Sequence, residues 1–155
     1  MAKDAPGPRT ILPNDHFEAP FKDVEALRDG ELEMNVIERF HCGENDVPGY
    51  YFQVSVDGKP AGVFMSLLTD DLSLISEVGN IGIGLDPAFQ GRDLPTRTVN
   101  LMVPLLKDHG LSRLYIVFDA ETDSIRRACQ NLRAEYKDTI DGNTGKKLER
   151  HQLNI

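Results

Sequence analysis

The chain has 155 residues, 40% apolar and 27% charged, with a formal net charge of −8. That length sustains one domain with its own core, and the charge has the wrong sign for nucleic acid, whose phosphates need a basic surface. No apolar run reaches the length of a membrane span, and the opening MAKDAPGPRT lacks the apolar core of a secretory signal, so a cytoplasmic protein without membrane contact is expected.

Residues 1–15 are rich in Pro and polar side chains and read as a mobile lead, with a short extended piece at 10–12; residues 16–155 read as a single domain. Phe21, Val24 and Leu27 recur at helical spacing, which predicts a helix stopped by Gly30. ELEMNVIERFHC alternates, placing Leu32, Met34, Val36 and Phe40 on one side of a strand. YYFQVSV and PAGVFMSLLT are strands joined by the tight turn Asp57-Gly58. After the looser DDLSLISEVG comes the short apolar strand NIGIGLD. From Thr96 to His109 the period is helical, with Val99, Met102, Val103 and Leu106 inward, Pro104 inside and Gly110 at the end. SRLYIVFD is a continuous apolar strand, the kind buried on both faces. TDSIRRACQNL is a second helix with Ile125, Ala128, Cys129 and Leu132 inward. AEYKDTI and KLERHQLNI are closing strands joined by DGNTGK, their Lys and Arg read as a solvated face.

This order predicts an α/β fold with a mixed sheet. NIGIGLD and SRLYIVFD are joined by a helical crossover and should be parallel neighbours. Ligands bind where such pairs open at their carboxyl ends, and DPAFQGRDLPTRTV lies there with Asp119. A helix start offers free N–H groups and partial positive charge to an anion. Gly91 allows close approach and Arg92 adds a cation. The alternative is plain helix initiation: Pro95 is a good first-turn residue and Asp93 a good cap.

The stretch from Gly79 to Leu132, with its strand, its Gln90-Gly91-Arg92 loop, helix, strand and second helix, resembles the cofactor-binding half of the GNAT superfamily of N-acetyltransferases. The spacing onward to Asp119, Cys129 and Tyr136 runs without a gap, and the likeness extends from about Asp29 to the C-terminus. It implies a mostly antiparallel sheet with one splayed parallel pair at a cofactor cleft, acetyl-CoA as cosubstrate, and an amine acceptor, small-molecule or protein. Cofactor contacts fall on Ile83, Gly84, Leu85, Gln90, Gly91, Arg92, Asp93, Leu94, Pro95, Thr96 and Thr122, with the oxyanion donor a main-chain N–H near Gly84–Leu85. Four positions depart from the pattern: Asp93 and Arg133 stand where it has Gly, Pro95 where it has Gly or Ala, and Thr122 where it has Asn. Pro95 has no N–H to give, which removes one charge-assisted bond worth about 1.5–3 kcal/mol. Asp93 brings negative charge towards a diphosphate, and Arg92 and Arg97 offset it.

The resemblance puts an acid for the departing thiolate at Cys129, which also reads as a small core residue, and a carboxylate base at Glu77, which also reads as a solvated loop residue. His41 is a second base candidate; His16, His109 and His151 have no evident partner. Tyr115 and Tyr136 read as core. Cys42 and Cys129, without metal-ligand spacing, read as reduced thiols, and no metal is expected. The acceptor cleft is expected between the early strands, the loop after Cys42 and the last hairpin, with Glu44, Asp46, Asp70 and Asp71 nearby. A homodimer is the default assembly. Two functions follow: an N-acyltransferase, or a GNAT-fold binding or regulatory module that has lost catalysis, a CoA sensor being a third.

Overall fold

Alternating apolar residues give this chain most of its strands, and a computed structural model, which describes residues 9–12, 21–89 and 91–155, assembles them into one sheet. The lead over residues 1–15, His16 and Gln90 lie outside the described residues, apart from the strand β1 (Arg9–Leu12). The other strands are β2 (Leu27–Asp29), β3 (Leu32–Cys42), β4 (Val47–Val56), β5 (Lys59–Leu67), β6 (Ile81–Leu85), β7 (Arg113–Asp119), β8 (Glu135–Asp141) and β9 (Lys147–Asn154). Their order is β1-β3-β4-β5-β6-β7-β9-β8, with β2 on β3. Among the described residues only β6–β7 is a parallel pair. Helix α1 (Leu94–Asp108) crosses from β6 to β7, and α2 (Asp123–Leu132) follows β7. This is the mixed sheet and parallel pair that the sequence implied.

The helix expected around Phe21–Leu27 is absent. Residues 21–26 have no regular structure and Leu27–Asp29 pairs with Leu32–Met34 as a strand. Phe21 is buried against Tyr50 and His41, so its burial reflects a side-on aromatic contact and not a helical face. β3 also departs from the expected alternation. Its register shifts between Val36 and Glu38, and one extra residue, Ile37, reverses the side-chain alternation. Leu32 and Met34 join the main core, while Phe40 points to the opposite face. The turn at Asp57-Gly58 has φ of 52° and 77°, as a two-residue hairpin with the twist of its strands requires.

The main core lies between the sheet and the two helices, and includes Phe52, Phe64, Ile116, Val99, Met102 and Cys129. The other face carries a smaller cluster, Phe40, Met65, Leu67 and Tyr115, covered by Ile75 from the β5–β6 connection. Neighbours such as Phe64 and Met65, or Tyr115 and Ile116, divide between the two, so β5 and β7 are buried on both sides. Tyr136, expected inside, is 54% exposed on the outermost strand. The charged hairpin is less solvated than expected: Arg150 is bidentate to Asp138 at 2.6 and 2.7 Å.

Candidate functional site

Asn80 fixes how the parallel pair opens. It is fully buried; its amide donates to Thr69 O at 2.9 Å and Arg113 O at 3.3 Å, and its carbonyl accepts from Tyr115 N at 2.8 Å. The amino end of β6 is thereby pinned to the first half of β7, and Ile81 pairs with Ile116 at the middle of β7. No further pair joins them, so they diverge towards their carboxyl ends. Gly79 lets the chain pass, at φ 68°; a Cβ there would lie 2.2 Å from Tyr115 O.

The β5–β6 register decides which amides face the opening. Leu67 N donates to Asn80 O and Asp86 N to Ala61 O. Antiparallel bonding alternates by two, so Gly82 and Gly84 direct their polar groups to β5, and Ile83 and Leu85 direct theirs to the gap. Two cavities meet there. One, of about 490 Å³, runs past Leu85, Phe89, Gly91, Pro95, Ser124 and Arg127. The other, of about 480 Å³, lies on the far side of β6 against Met65, Glu77, Val117, Phe118, Asp119 and Leu148. Both are lined by Ile83, Gly84, Thr122 and Ile125, so they form one continuous cleft. The loop after Cys42 lines a separate cavity of about 180 Å³, away from this cleft.

The loop residues divide. Gly91 (φ 103°) and Pro95 line the first cavity. Leu94 is core, and Thr96 is buried with its hydroxyl donating to Asp93 at 2.6 Å. Asp93 precedes the helix in the left-handed region, φ 54° and ψ 34°, and makes no side-chain cap. That conformation is one glycine adopts freely and Asp tolerates, so the substitution keeps the backbone turn. Its carboxylate faces Thr96 and Asn131 of α2, at 3.3 Å, and does not line the cavity. Arg92 pairs with Asp57 at 3.2 Å and Glu31 at 3.5 Å. Arg97 pairs with Asp29 at 2.8 Å and Glu31 at 2.7 Å. Both guanidiniums thus point at the β2–β3 side. The cation lining the cleft is Arg127, which the sequence reading missed. Its signal was the i, i+3 spacing from Ser124 on the amphipathic α2.

Glu77 lines the second cavity, and its Oε1 accepts from Asn143 N at 2.9 Å. Asp119 sits opposite, 3.1 Å from the Lys146 ammonium; the Glu121 N–H and then Lys146 hold its carboxyl below the ordinary range. Cys129 is 1% exposed and lines neither cavity. Burial, with the Glu149 charge second, pushes its thiol up to about 12. Its place in the main core matches the packing reading of that residue. His41 bonds Asp46 O, His109 bonds the Tyr50 hydroxyl, and His151 lies buried beside Glu149, all outside the cleft. Asp71 caps Ser73, and Asp70 lies 3.4 Å from the Ser112 hydroxyl. No described helix is long and apolar enough to cross a membrane.

The model of the acetyltransferase (GNAT) family matches residues 13–129. No protein with a curated description matches the chain. Among solved structures, RimL, a ribosomal L7/L12 alpha-N-protein acetyltransferase, is 12% identical over 69% of this chain and 61% of its own, with a TM-score of 0.57. The microcin C7 self-immunity acetyltransferase MccE, solved with acetyl-CoA and AMP, is 16% identical over 69% and 61%, with a TM-score of 0.57. RimJ of Mycobacterium smegmatis, in complex with CoA-disulfide, is 10% identical over 69% and 53%, with a TM-score of 0.55. The chain thus spans about three fifths of the first structures it matches, although a second crystal form of RimL is covered over 98% of its length.

Proposed function

Because the chain belongs to the acetyltransferase (GNAT) family, we propose that it transfers an acetyl group from acetyl-CoA to an amine, within a single domain of residues 16–155. The observation that carries this is the continuous cleft: one arm passes a helix start and a cationic side chain, the other holds two carboxylates, and unpaired strand amides stand between them. The first arm suits a diphosphate. The first-turn amides of α1 lack intrahelical acceptors, and Arg127 adds charge. Thr122 and Ser124 would flank the pantetheine arm. Pro95 takes one N–H from that set and leaves its neighbours. Asp93, turned to Asn131, acts as a clamp between α1 and α2.

In the reaction the amine nitrogen attacks the thioester carbonyl carbon, a C–N bond forms and the C–S bond breaks. The oxyanion that develops is held by N–H of Ile83 or Leu85, a contribution of about 2.7–4 kcal/mol for one such donor. Glu77 takes the proton that an ammonium must shed before it attacks. The second nitrogen proton ends on the departing sulfur, so the products are an amide, CoA thiol and one proton. Cys129 is left to the core. The test is thiol release from acetyl-CoA in the presence of amines. Glu77→Gln is expected to lower kcat/KM by about 10²-fold, the usual scale for a general base, with acetyl-CoA affinity unchanged. No thiol release with any amine class, despite acetyl-CoA binding, would overturn the transferase reading.

A further inference from the structure

The second arm also describes its occupant, and this inference rests on the transferase reading. Around the two carboxylates the wall is apolar: Met65, Val117, Phe118 and Leu148. Glu77 enters from the β5–β6 connection and Asp119 from the end of β7. Both are engaged by one structure, the β8–β9 turn. Asn143 N donates to Glu77, and Lys146 places its ammonium 3.1 Å from Asp119. The Lys146 side chain is 61% exposed, so it reaches this carboxylate from the rim, held by a bond that water can replace.

An ammonium on a four-carbon chain therefore already sits against Asp119 at the edge of an apolar cavity. We infer that the acceptor is a small primary amine on an apolar body, and that Lys146 holds the place of its ammonium on Asp119 until the amine enters. The apolar wall takes the body of the molecule. Asp119 attracts the cation, and Glu77 lies in the same cavity to take its proton. A polyamine would carry a second charge into the arm, where Glu77 is committed to taking the reacting proton and Met65 and Phe118 offer no further partner, which is costly. A peptide amino terminus would bring polar amides to the same wall. At about 480 Å³ the arm has ample room for an aryl or branched alkyl body.

The test compares phenethylamine, spermidine and a serine-initiated hexapeptide as acceptors, on the whole chain and on Lys146→Ala and Asp119→Asn. Calorimetry with acetyl-CoA alone is run on each variant, and phenethylamine binding is followed separately by NMR shift perturbation. Phenethylamine is expected to show the highest kcat/KM, by at least tenfold. Asp119→Asn should raise its KM about tenfold and leave acetyl-CoA affinity unchanged. Lys146→Ala should lower that KM several-fold. A preference for spermidine or the hexapeptide, or a Lys146→Ala variant with unchanged KM, would overturn the inference. If acetyl-CoA does not bind, the transferase reading fails by itself. Direct phenethylamine binding, and its loss in Asp119→Asn, then still decides what the arm accepts.

Discussion

Of the four described non-glycine residues in left-handed backbone, two stand where the family pattern has glycine, Asp93 at φ 54° and Arg133 at φ 61°. They are two of the four departures from the family pattern, and their backbone retains the conformation that the pattern implies. Arg133 ends α2, and an ordinary L side chain there costs about 1–2 kcal/mol. Arg133→Gly should therefore raise stability by about 1 kcal/mol, seen as a melting point about 2–4 °C higher; an unchanged or lower melting point would contradict it. Asp93→Asn keeps the tolerance for this turn and an acceptor for the Thr96 hydroxyl but removes the charge. It should strengthen acetyl-CoA binding by about threefold to tenfold at low salt, with the gain shrinking as salt rises. Equal affinity would mean that the carboxylate, facing Asn131, is already outside the anion's field. Cys129 gives a third test. A thiol pushed up to about 12 stays protonated at pH 8, so a disulfide reagent should fail to label the native protein and label it after unfolding. Labelling of native Cys129 that acetyl-CoA blocks would return it to the cleft.

At the scale of elements, the strands, the crossover helix and the parallel pair were legible because apolar period and turn residues agree there. β3 was legible as a strand, but its faces were not. The bulge at Ile37 leaves no mark in a pattern of alternation, and it sends Phe40 to the other side. Phe21, Val24 and Leu27 mimicked a helix because three apolar residues suffice for the period, while pairing with β3 decided the outcome. The opening of β6 from β7 depends on Asn80, whose type alone says nothing of its three side-chain bonds. Asn80→Ala would leave the buried Tyr115 N–H without its acceptor and the carbonyls of Thr69 and Arg113 without their donor. A loss of about 3 kcal/mol in denaturant unfolding is expected, and a loss under 1 kcal/mol would show that the pair is held otherwise. The ties from α1 to β2–β3 run through Arg97 and Glu31. Hydrogen bonding to Arg97, ahead of the backbone, draws the Glu31 carboxyl from 4.5 to about 2. Its folded value lies below its unfolded one, so the stabilisation is present above pH 4.5 and fades as pH falls towards 2. Arg97→Met should flatten that part of the pH–stability curve, and an unchanged slope would contradict this.

For the molecule as a whole, the acidic net charge proved compatible with a local cationic site. Arg92 and Arg97, the cations nearest the loop in sequence, are held by carboxylates of β2, the β2–β3 turn and the β4–β5 turn. Arg127, about thirty positions on, lines the cleft instead. Spacing along the chain could find the helix start, and only the packing of α2 beside α1 could find its partner. Transfer requires that this cleft hold acetyl-CoA with Pro95 in the helix start. The measurement is calorimetry of the full chain with acetyl-CoA, beside Arg127→Ala. Micromolar binding, weakened about tenfold or more by Arg127→Ala, is the predicted result, the scale of a lost charge-assisted bond. No binding to the unaltered chain, or binding that Arg127→Ala leaves untouched, would contradict it.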